Sequence, residues 1–229
     1  MIKFFLIIVF LTVPLVLVYL NIIHPGVEGG LLFSAFIIVA MIFRVWETFY
    51  TSKDKDARKF RGDWSLIITS FMYYLISLLI IFAFFATEKK NIILTLLGLV
   101  IFIIAAALRL WSTRTLGSQW FIHLTDIAHK NASDDFHVLR TGPYKYIRHP
   151  IYLGTIMDLV GISLMANNYY CLLFVFLVNT PLYIWRSIYE EKQNIRKFGD
   201  EYAKYKNEVS FLIPWKIFFF KKYGHNRAN

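Results

Sequence analysis

Residues 91–110 read NIILTLLGLVIFIIAAALRL, a run of twenty residues with a single charged side chain, Arg109. An α-helix needs about 20 consecutive apolar residues to cross the hydrocarbon core of a bilayer, so this stretch predicts a membrane-spanning helix. The rest of the chain has the same character, because 57% of its 229 residues are hydrophobic and only 17% are charged. The apolar residues fall in long runs and do not alternate with polar ones, which predicts an all-α integral membrane protein.

Similar apolar runs on both sides of this stretch predict about six spans in total. The predicted spans cover residues 2–22, 31–50, 65–86, 92–111, 151–167 and 169–186. The last two contain polar residues, Asp158 in one and Asn179 with Pro181 in the other. Polar groups in lipid are costly unless other helices shield them, so a shielded helical hairpin is the alternative for this pair.

The positive charges of the chain stand beside the ends of the predicted helices. The loops at 51–64 and 112–150 and the tail after residue 186 contain most of the Lys and Arg. Because these residues stay on the cytoplasmic side of short loops, both termini and the site described below are predicted to be cytoplasmic. The net charge of +10 therefore favours a lipid bilayer as partner over nucleic acid. With Cys171 as its only cysteine, the sequence predicts neither a disulfide nor a metal site.

The two parts of the chain differ in chemical content. Residues 1–111 are predicted to form four spans and contain few side chains suited to catalysis, whereas residues 112–229 contain most of the candidates. We therefore predict an N-terminal membrane part and a C-terminal catalytic core, with two further spans and a cytoplasmic cap of helices. In that cap, Gly199 is expected to end one helix, and a second is expected to begin at Asp200 and end at Pro214.

The first cluster of chemically useful residues reads GPYKYIRHPIYLG at 142–154. Pro150 suits the first turn of the fifth span, because its missing N–H would have had no helical partner there. The N-terminus of a helix favours an anionic ligand group, and His149 stands directly before it. A lone Arg-His-Pro is typical of a lipid anchor and a helix cap. The rings of Tyr144 and Tyr152 around the same helix start favour a binding site instead.

The second cluster reads RSIYEE and begins at Arg186, where the last predicted span leaves the membrane. Arg186 and Glu190 are four residues apart and share one face of a helix. One interpretation is a surface ion pair that contributes only a few tenths of a kcal/mol. The other is that a carboxylate and a guanidinium near the Arg-His-Pro helix start bind a zwitterionic cofactor and an acidic substrate.

Together, the text RTGPYKYIRHPIYLG at 140–154 and RSIYEEKQNIRKFGDEYAKYKNEV at 186–209 resembles the isoprenylcysteine carboxyl methyltransferase family. That family lies within a wider set that includes phospholipid methyltransferases. The resemblance extends over residues 115–215 and implies a membrane-embedded methyltransferase whose cofactor is S-adenosyl-L-methionine. It also implies a lipophilic acceptor, with the carboxylate of an isoprenylcysteine-like compound as the leading candidate.

The resemblance assigns roles to residues at the matching positions. Arg186 is implied to bind the acceptor carboxylate and Glu190 to face the cofactor, and these two make up the implied catalytic pair. A cofactor-binding glutamine of the family aligns with His129. The implied cofactor-binding residues are Phe136, His137, Val138, Leu139, Tyr144, His149, Pro150, Ile151, Tyr152 and Glu190.

Other functions remain open at this stage. A carboxylate acceptor needs no general base, so the protein has mainly to position two charged reactants and exclude water. A phospholipid amine or a small thiol is the alternative acceptor within the same superfamily, and either must lose a proton. An NADPH-dependent membrane sterol-type reductase would have Asn at position 151, where this chain has Ile. A transporter or scaffold is the non-enzymatic alternative, which the scarcity of charges in mid-span disfavours.

Overall fold

The computed structural model describes residues 2–50, 64–117 and 137–216, with side chains described for 11–47 of the first range. These residues are helical apart from short connections, and their only bridge of the β type is an isolated parallel one between Ile147 and Ser210. The connections include one 3-10 turn and one π-helical turn. The elements are α1 (Ile2–Ile23), α2 (Gly30–Tyr50), α3 (Trp64–Ala86), α4 (Ile92–Leu116), the 3-10 turn Gly142–Lys145, α5 (Pro150–Met165), α6 (Tyr169–Phe174), the π turn Val175–Asn179, α7 (Thr180–Phe198) and α8 (Asp200–Glu208).

These helices confirm an all-α membrane protein. Four segments of the described chain are long and apolar enough to cross a bilayer, namely Gly30–Glu47, Trp64–Ala86, Ile92–Leu116 and the joined segment Tyr169–Phe198. That the chain crosses the membrane six times stays a prediction, because α5 has only 16 residues. At 1.5 Å per residue such a helix is about 24 Å long, which is shorter than the hydrocarbon core. The alternative of a shielded hairpin, formed by α5 and the segment that begins at Tyr169, fits this length.

Helix α5 is positioned by a close approach to α4, the most extensive helix contact in the described structure. A Cβ added at Gly98 would lie 2.4 Å from the backbone oxygen of Gly161, and one at Gly154 would lie 2.5 Å from Cγ of Arg109. Small residues at such contacts are typical of helix pairs in lipid, where association depends on packing and not on expulsion of water. The glycines therefore determine how α5 is positioned along α4.

Three buried charged side chains and one partly exposed arginine form a connected group in the helix bundle, which we call the membrane ion cluster: Glu47, Arg109, Asp158 and Arg44. Arg109 Nε lies 2.9 Å from Glu47 Oε2, and its Nη1 contacts Asp158 Oδ2. Arg44 Nη1 lies 3.3 Å from Glu47 Oε2, and its Nη2 donates a 2.8 Å hydrogen bond to Thr155 Oγ1. Two cations and two anions thus join α2, α4 and α5, which suits charges in a low-dielectric setting.

The cap formed by the C-terminal helices confirms one predicted helix end and corrects another. Gly199 follows α7 with φ of 55°, as predicted for a helix terminator. The next helix, α8, ends at Glu208 and not at Pro214, so that prediction was wrong. The reason is a tertiary pairing, because the backbone N–H of Arg148 donates a 2.8 Å hydrogen bond to the carbonyl of Ser210. The chain after α8 therefore runs extended beside the start of α5.

Candidate active site

The segment before α5 is held from two sides. Its 3-10 turn contains the buried Tyr144, whose carbonyl accepts a 2.8 Å hydrogen bond from the hydroxyl of Tyr205 on α8. The pairing with Ser210 continues at His149, whose N–H donates a 3.3 Å bond to the carbonyl of Phe211. Pro150 then begins α5 at the favoured first position. Hydrogen bonds therefore hold the first cluster, residues 142–154, against the C-terminal cap, so this segment is not a loop that lies free at the lipid surface.

A single buried carboxylate, Glu191, organises this region. Its Oε1 accepts a 2.7 Å bond from Nε of Arg148 and lies 3.1 Å from Nε2 of His149, while its Oε2 lies 2.9 Å from Nζ of Lys206. An ionised carboxylate only accepts hydrogen bonds, so Nε2 of His149 carries the hydrogen. Arg148 points inward, also donating to the carbonyls of Lys206 and Val209. The lipid-anchor interpretation of the Arg-His-Pro motif therefore does not describe Arg148.

The imidazole of His149 is buried between two aromatic rings. It lies 5.7 Å from the ring of Tyr152 in a stacked arrangement and 5.0 Å from Phe211 edge to face. Its side chain makes no capping hydrogen bond to α5. Its Nδ1 lies 3.8 Å from Oε2 of Glu190. The imidazole of His149 thus lines the candidate site beside Glu190, and it does not cap α5.

The predicted pair Arg186 and Glu190 lies on one face of α7, as expected, and both residues approach Tyr152. The guanidinium of Arg186 is buried and donates a 3.0 Å bond from Nε to the Tyr152 hydroxyl and a 2.6 Å bond from Nη1 to Ser65 Oγ. The carboxylate of Glu190 lies near the same hydroxyl. Glu190 remains 25% exposed. The partly exposed carboxylate of Glu190 and the buried guanidinium of Arg186 thus both lie beside the hydroxyl of Tyr152.

Three buried tyrosines on the side of the cap lie near enough to Glu190 for its charge to affect the pKa of their hydroxyls. Burial raises the pKa of the Tyr144 hydroxyl well above its usual value, and the negative charge of Glu190 raises it further. Burial likewise raises the pKa of Tyr202 and of Tyr205, and Glu190 again contributes. These phenols are therefore neutral at physiological pH. Neutral aromatic rings around a carboxylate are a setting that stabilises an organic cation.

The remaining predicted cofactor residues occupy different surroundings. Val138 is buried against Tyr202, Tyr205 and Val209, whereas the side chain of His137 is exposed. Leu139 and Ile151 are half-buried. Phe136 and His129, two further predicted positions, lie outside the described residues.

Sequence reasoning did not identify Glu191 or Ser65. The adjacent acids at 190 and 191 were a possible signal, because successive residues on a helix point about 100° apart and only one of them can face a ligand. Ser65 gave no signal, since it lies 121 positions from Arg186 in the chain.

Comparison with known proteins agrees with this geometry. The model of the isoprenylcysteine carboxyl methyltransferase family matches residues 96–196, which run from α4 into α7. This match confirms the predicted resemblance. The matched segment contains the first motif from Arg140 to Gly154 together with Arg186, Glu190 and Glu191.

Curated relatives fall into two groups of methyltransferase. The chain is 43% identical over 74 residues to methanethiol S-methyltransferase 1 of Bradyrhizobium diazoefficiens, a match that covers 32% of this chain and 25% of that protein. It is 34% identical over 122 residues to protein-S-isoprenylcysteine O-methyltransferase of Saccharomyces cerevisiae, covering 53% and 49%. For the Homo sapiens protein of the same name, identity is 33% over 138 residues, covering 57% and 45%. The chain spans less than half the length of these relatives.

Proposed function

We propose that this protein is a membrane-embedded methyltransferase that uses S-adenosyl-L-methionine to methylate the carboxylate of a lipophilic acceptor. The observation that carries the proposal is the meeting of Glu190 and Arg186 at the hydroxyl of Tyr152. One group suits a cationic cofactor and the other an anionic acceptor, and reaction requires these two ligands to be neighbours. The match to the isoprenylcysteine carboxyl methyltransferase family supports the same chemistry.

The residues around Glu190 fit the cofactor. S-Adenosyl-L-methionine carries a sulfonium, an ammonium and a carboxylate, and when bound it supplies an activated methyl group. Glu190 and the rings of Tyr144 and Tyr152 would hold the cationic groups, since carboxylates and aromatic faces both attract cations. The beginning of α5 at Pro150 offers the partial positive charge of a helix N-terminus to the cofactor carboxylate. His149, held in place by its contact with Glu191, would line the cofactor site between Glu190 and the start of α5.

The chain's own residues have a limited chemical task in this mechanism. An acceptor carboxylate already carries the negative charge needed to attack a methyl carbon, so no residue has to remove a proton. Arg186 would orient that carboxylate through charge-assisted hydrogen bonds. Glu190 would keep the donor beside it, and the packed helices would exclude water. The expected acceptor is isoprenylcysteine-like, as the names of several relatives suggest.

A small thiol is the second candidate acceptor, because one relative is named for methanethiol. A thiol must lose a proton, and Nδ1 of His149 could accept it, because Nε2–H is donated to Glu191. A buried guanidinium is nevertheless better matched to a carboxylate than to a neutral thiol. This match favours the acidic acceptor. The phospholipid amine has no comparable support from the contacts of Arg186.

Location and organisation follow from the same proposal. The site, both termini and the loop at 112–150 would lie on the cytoplasmic face, where the first motif and α7 can meet. Ser133 and Asn229, which lie outside the described residues, are suitable labelling positions for this topology. Labels on opposite sides of the membrane would contradict a single site. We also keep the proposed division into an N-terminal part, 1–111, and a catalytic core, 112–229.

Two measurements test the function. Protein purified in detergent should bind S-adenosyl-L-methionine in preference to NADPH, as measured by calorimetry. Methyl transfer from labelled cofactor should be faster to a prenylated cysteine carboxylate than to a phospholipid amine or a small thiol. Preferential binding of NADPH would favour a reductase, and binding of neither would favour a transporter or scaffold.

Substitutions then test the two assigned residues. Glu190→Gln should weaken cofactor binding about ten- to hundredfold, the cost of one charge-assisted contact. Arg186→Gln should leave cofactor affinity nearly unchanged and lower turnover of the acidic acceptor by a similar factor. Arg196→Gln, an exposed position on α7, and Glu208→Gln on α8 are the matched controls. Unchanged binding and turnover in both site variants would refute the assignment of α7 to the site.

A further inference from the structure

We infer that Ser65, at the start of α3, is a positioning residue that fixes the guanidinium of Arg186 toward the acceptor. This inference rests on the proposed function and extends the acceptor site into the N-terminal part of the chain. The direct observation is the 2.6 Å hydrogen bond from Arg186 Nη1 to Ser65 Oγ, with both residues buried.

The contact pattern constrains how the guanidinium can turn. A guanidinium is a planar fork of five N–H donors, so hydrogen bonds at two of its nitrogens define its plane. Tyr152 accepts from Nε at 3.0 Å and Ser65 accepts from Nη1 at 2.6 Å. The Arg186 Cζ also lies 6.0 Å from the centre of the Tyr152 ring. Each hydroxyl therefore contributes to the orientation of the fork.

The backbone around Ser65 makes it a fixed point. Ser65 is the second residue of α3, and its carbonyl accepts a 2.7 Å bond from the hydroxyl of Thr69, one turn later. Helix α3 contacts both α5 and α7. The acceptor carboxylate is therefore expected to be oriented jointly by α3, α5 and α7, although α3 contains none of the residues implied by the resemblance.

The test compares two serines on the same helix. Ser65→Ala should lower kcat/KM for the acidic acceptor about tenfold and leave cofactor affinity unchanged. Ser65→Thr, which retains the hydroxyl, should recover most of the activity. Ser77→Ala is the matched control, because Ser77 lies about three turns further along α3 and its Oγ donates a local 2.8 Å bond to the Tyr73 carbonyl.

The outcomes separate this inference from the proposed function. If the unchanged protein transfers methyl groups but Ser65→Ala and Ser77→Ala behave alike, the positioning role of Ser65 is wrong while the function stands. If Ser65→Ala loses cofactor affinity as well as activity, or if Ser65→Thr fails to recover activity, Ser65 has a general structural role and the inference also fails. Absence of methyl transfer and cofactor binding in the unchanged protein would instead overturn the proposed function.

Discussion

The membrane ion cluster and the candidate active site use the same residue types on neighbouring helices, yet their charged groups make different contacts. In the membrane ion cluster the guanidinium of Arg109 contacts two carboxylates, and the cluster contains two charges of each sign. At the site, Arg186 donates to the hydroxyls of Tyr152 and Ser65, and Glu190 is partly exposed. Ion pairs between helices suit a cluster that joins them, whereas a partly exposed carboxylate suits a site that binds a cationic ligand.

The largest effect is expected when the membrane ion cluster is broken on one side. Asp158→Leu removes one of the two carboxylates that hold Arg109 and leaves a surplus positive charge inside the bundle. Removing one partner of a buried pair typically costs about 3 to 5 kcal/mol. We expect a strongly lowered thermal unfolding midpoint in detergent and a low yield of folded protein.

A double variant controls for the loss of side-chain packing. Arg109→Leu combined with Asp158→Leu removes one charge of each sign and leaves Arg44 beside Glu47. Because a buried ion pair can often be replaced by apolar residues at little cost, the double variant should be more stable than the single one. A double variant as unstable as Asp158→Leu would show that charge balance does not explain the cluster.

Two adjacent residues of α7 offer the next test. Glu191 is bonded to Arg148, His149 and Lys206, whereas Glu190 is partly open. Glu191→Gln should lower the free energy of unfolding by about 1.5 to 3 kcal/mol, because charge-assisted bonds become weaker neutral ones. Glu190→Gln should leave the unfolding midpoint nearly unchanged and weaken cofactor binding. Equal losses of stability in the two variants would remove the distinction between a structural and a ligand-binding carboxylate.

A smaller loss of stability is expected from the contact between α4 and α5. Gly98→Ala places a Cβ against the Gly161 backbone, which cannot move as a flexible side chain can. Overpacking typically costs about 1 to 3 kcal/mol, and the better helix propensity of Ala offsets up to about 1 kcal/mol. Thermal unfolding should therefore show a net loss. Gly26→Ala, with no atom within 4 Å of the added Cβ, is the control, and equal midpoints for the two variants would contradict the close approach.

The parts of this molecule that the sequence predicted are those fixed by local rules. Helices α2 and α3 begin and end within a residue of their predictions, because lipid demands continuous apolar helices. Helix α4 continues to Leu116, beyond the predicted residue 111, since its polar residues Ser112 and Thr113 are buried within the protein. The length of a run cannot show whether polar residues at its end face water or another helix.

Helix periodicity was enough to predict that two candidate site residues share a face, whereas contacts between residues distant in sequence were missed. Arg186 and Glu190 share a face because they are four residues apart on one helix. Glu47 is 62 positions from Arg109, and Glu191 is 43 from Arg148. Nothing in the local sequence distinguishes such partners from ordinary surface acids. Only the packing of the helices brings them together.

The smallest effect is expected for an ion pair of the same chemistry at the surface. Arg140 and Glu208 are in direct contact, and the side chain of each is 39% exposed. Water solvates both charges well in the unfolded chain, so an exposed pair contributes only about 0 to 1 kcal/mol. Arg140 also lies 5.4 Å from the ring centre of Tyr205, a contact that Glu208→Gln would leave in place. This variant should therefore shift the unfolding midpoint only slightly, and the shift should shrink further at high salt. A loss as large as that of Asp158→Leu would mean that burial does not determine the contribution of ion pairs in this protein.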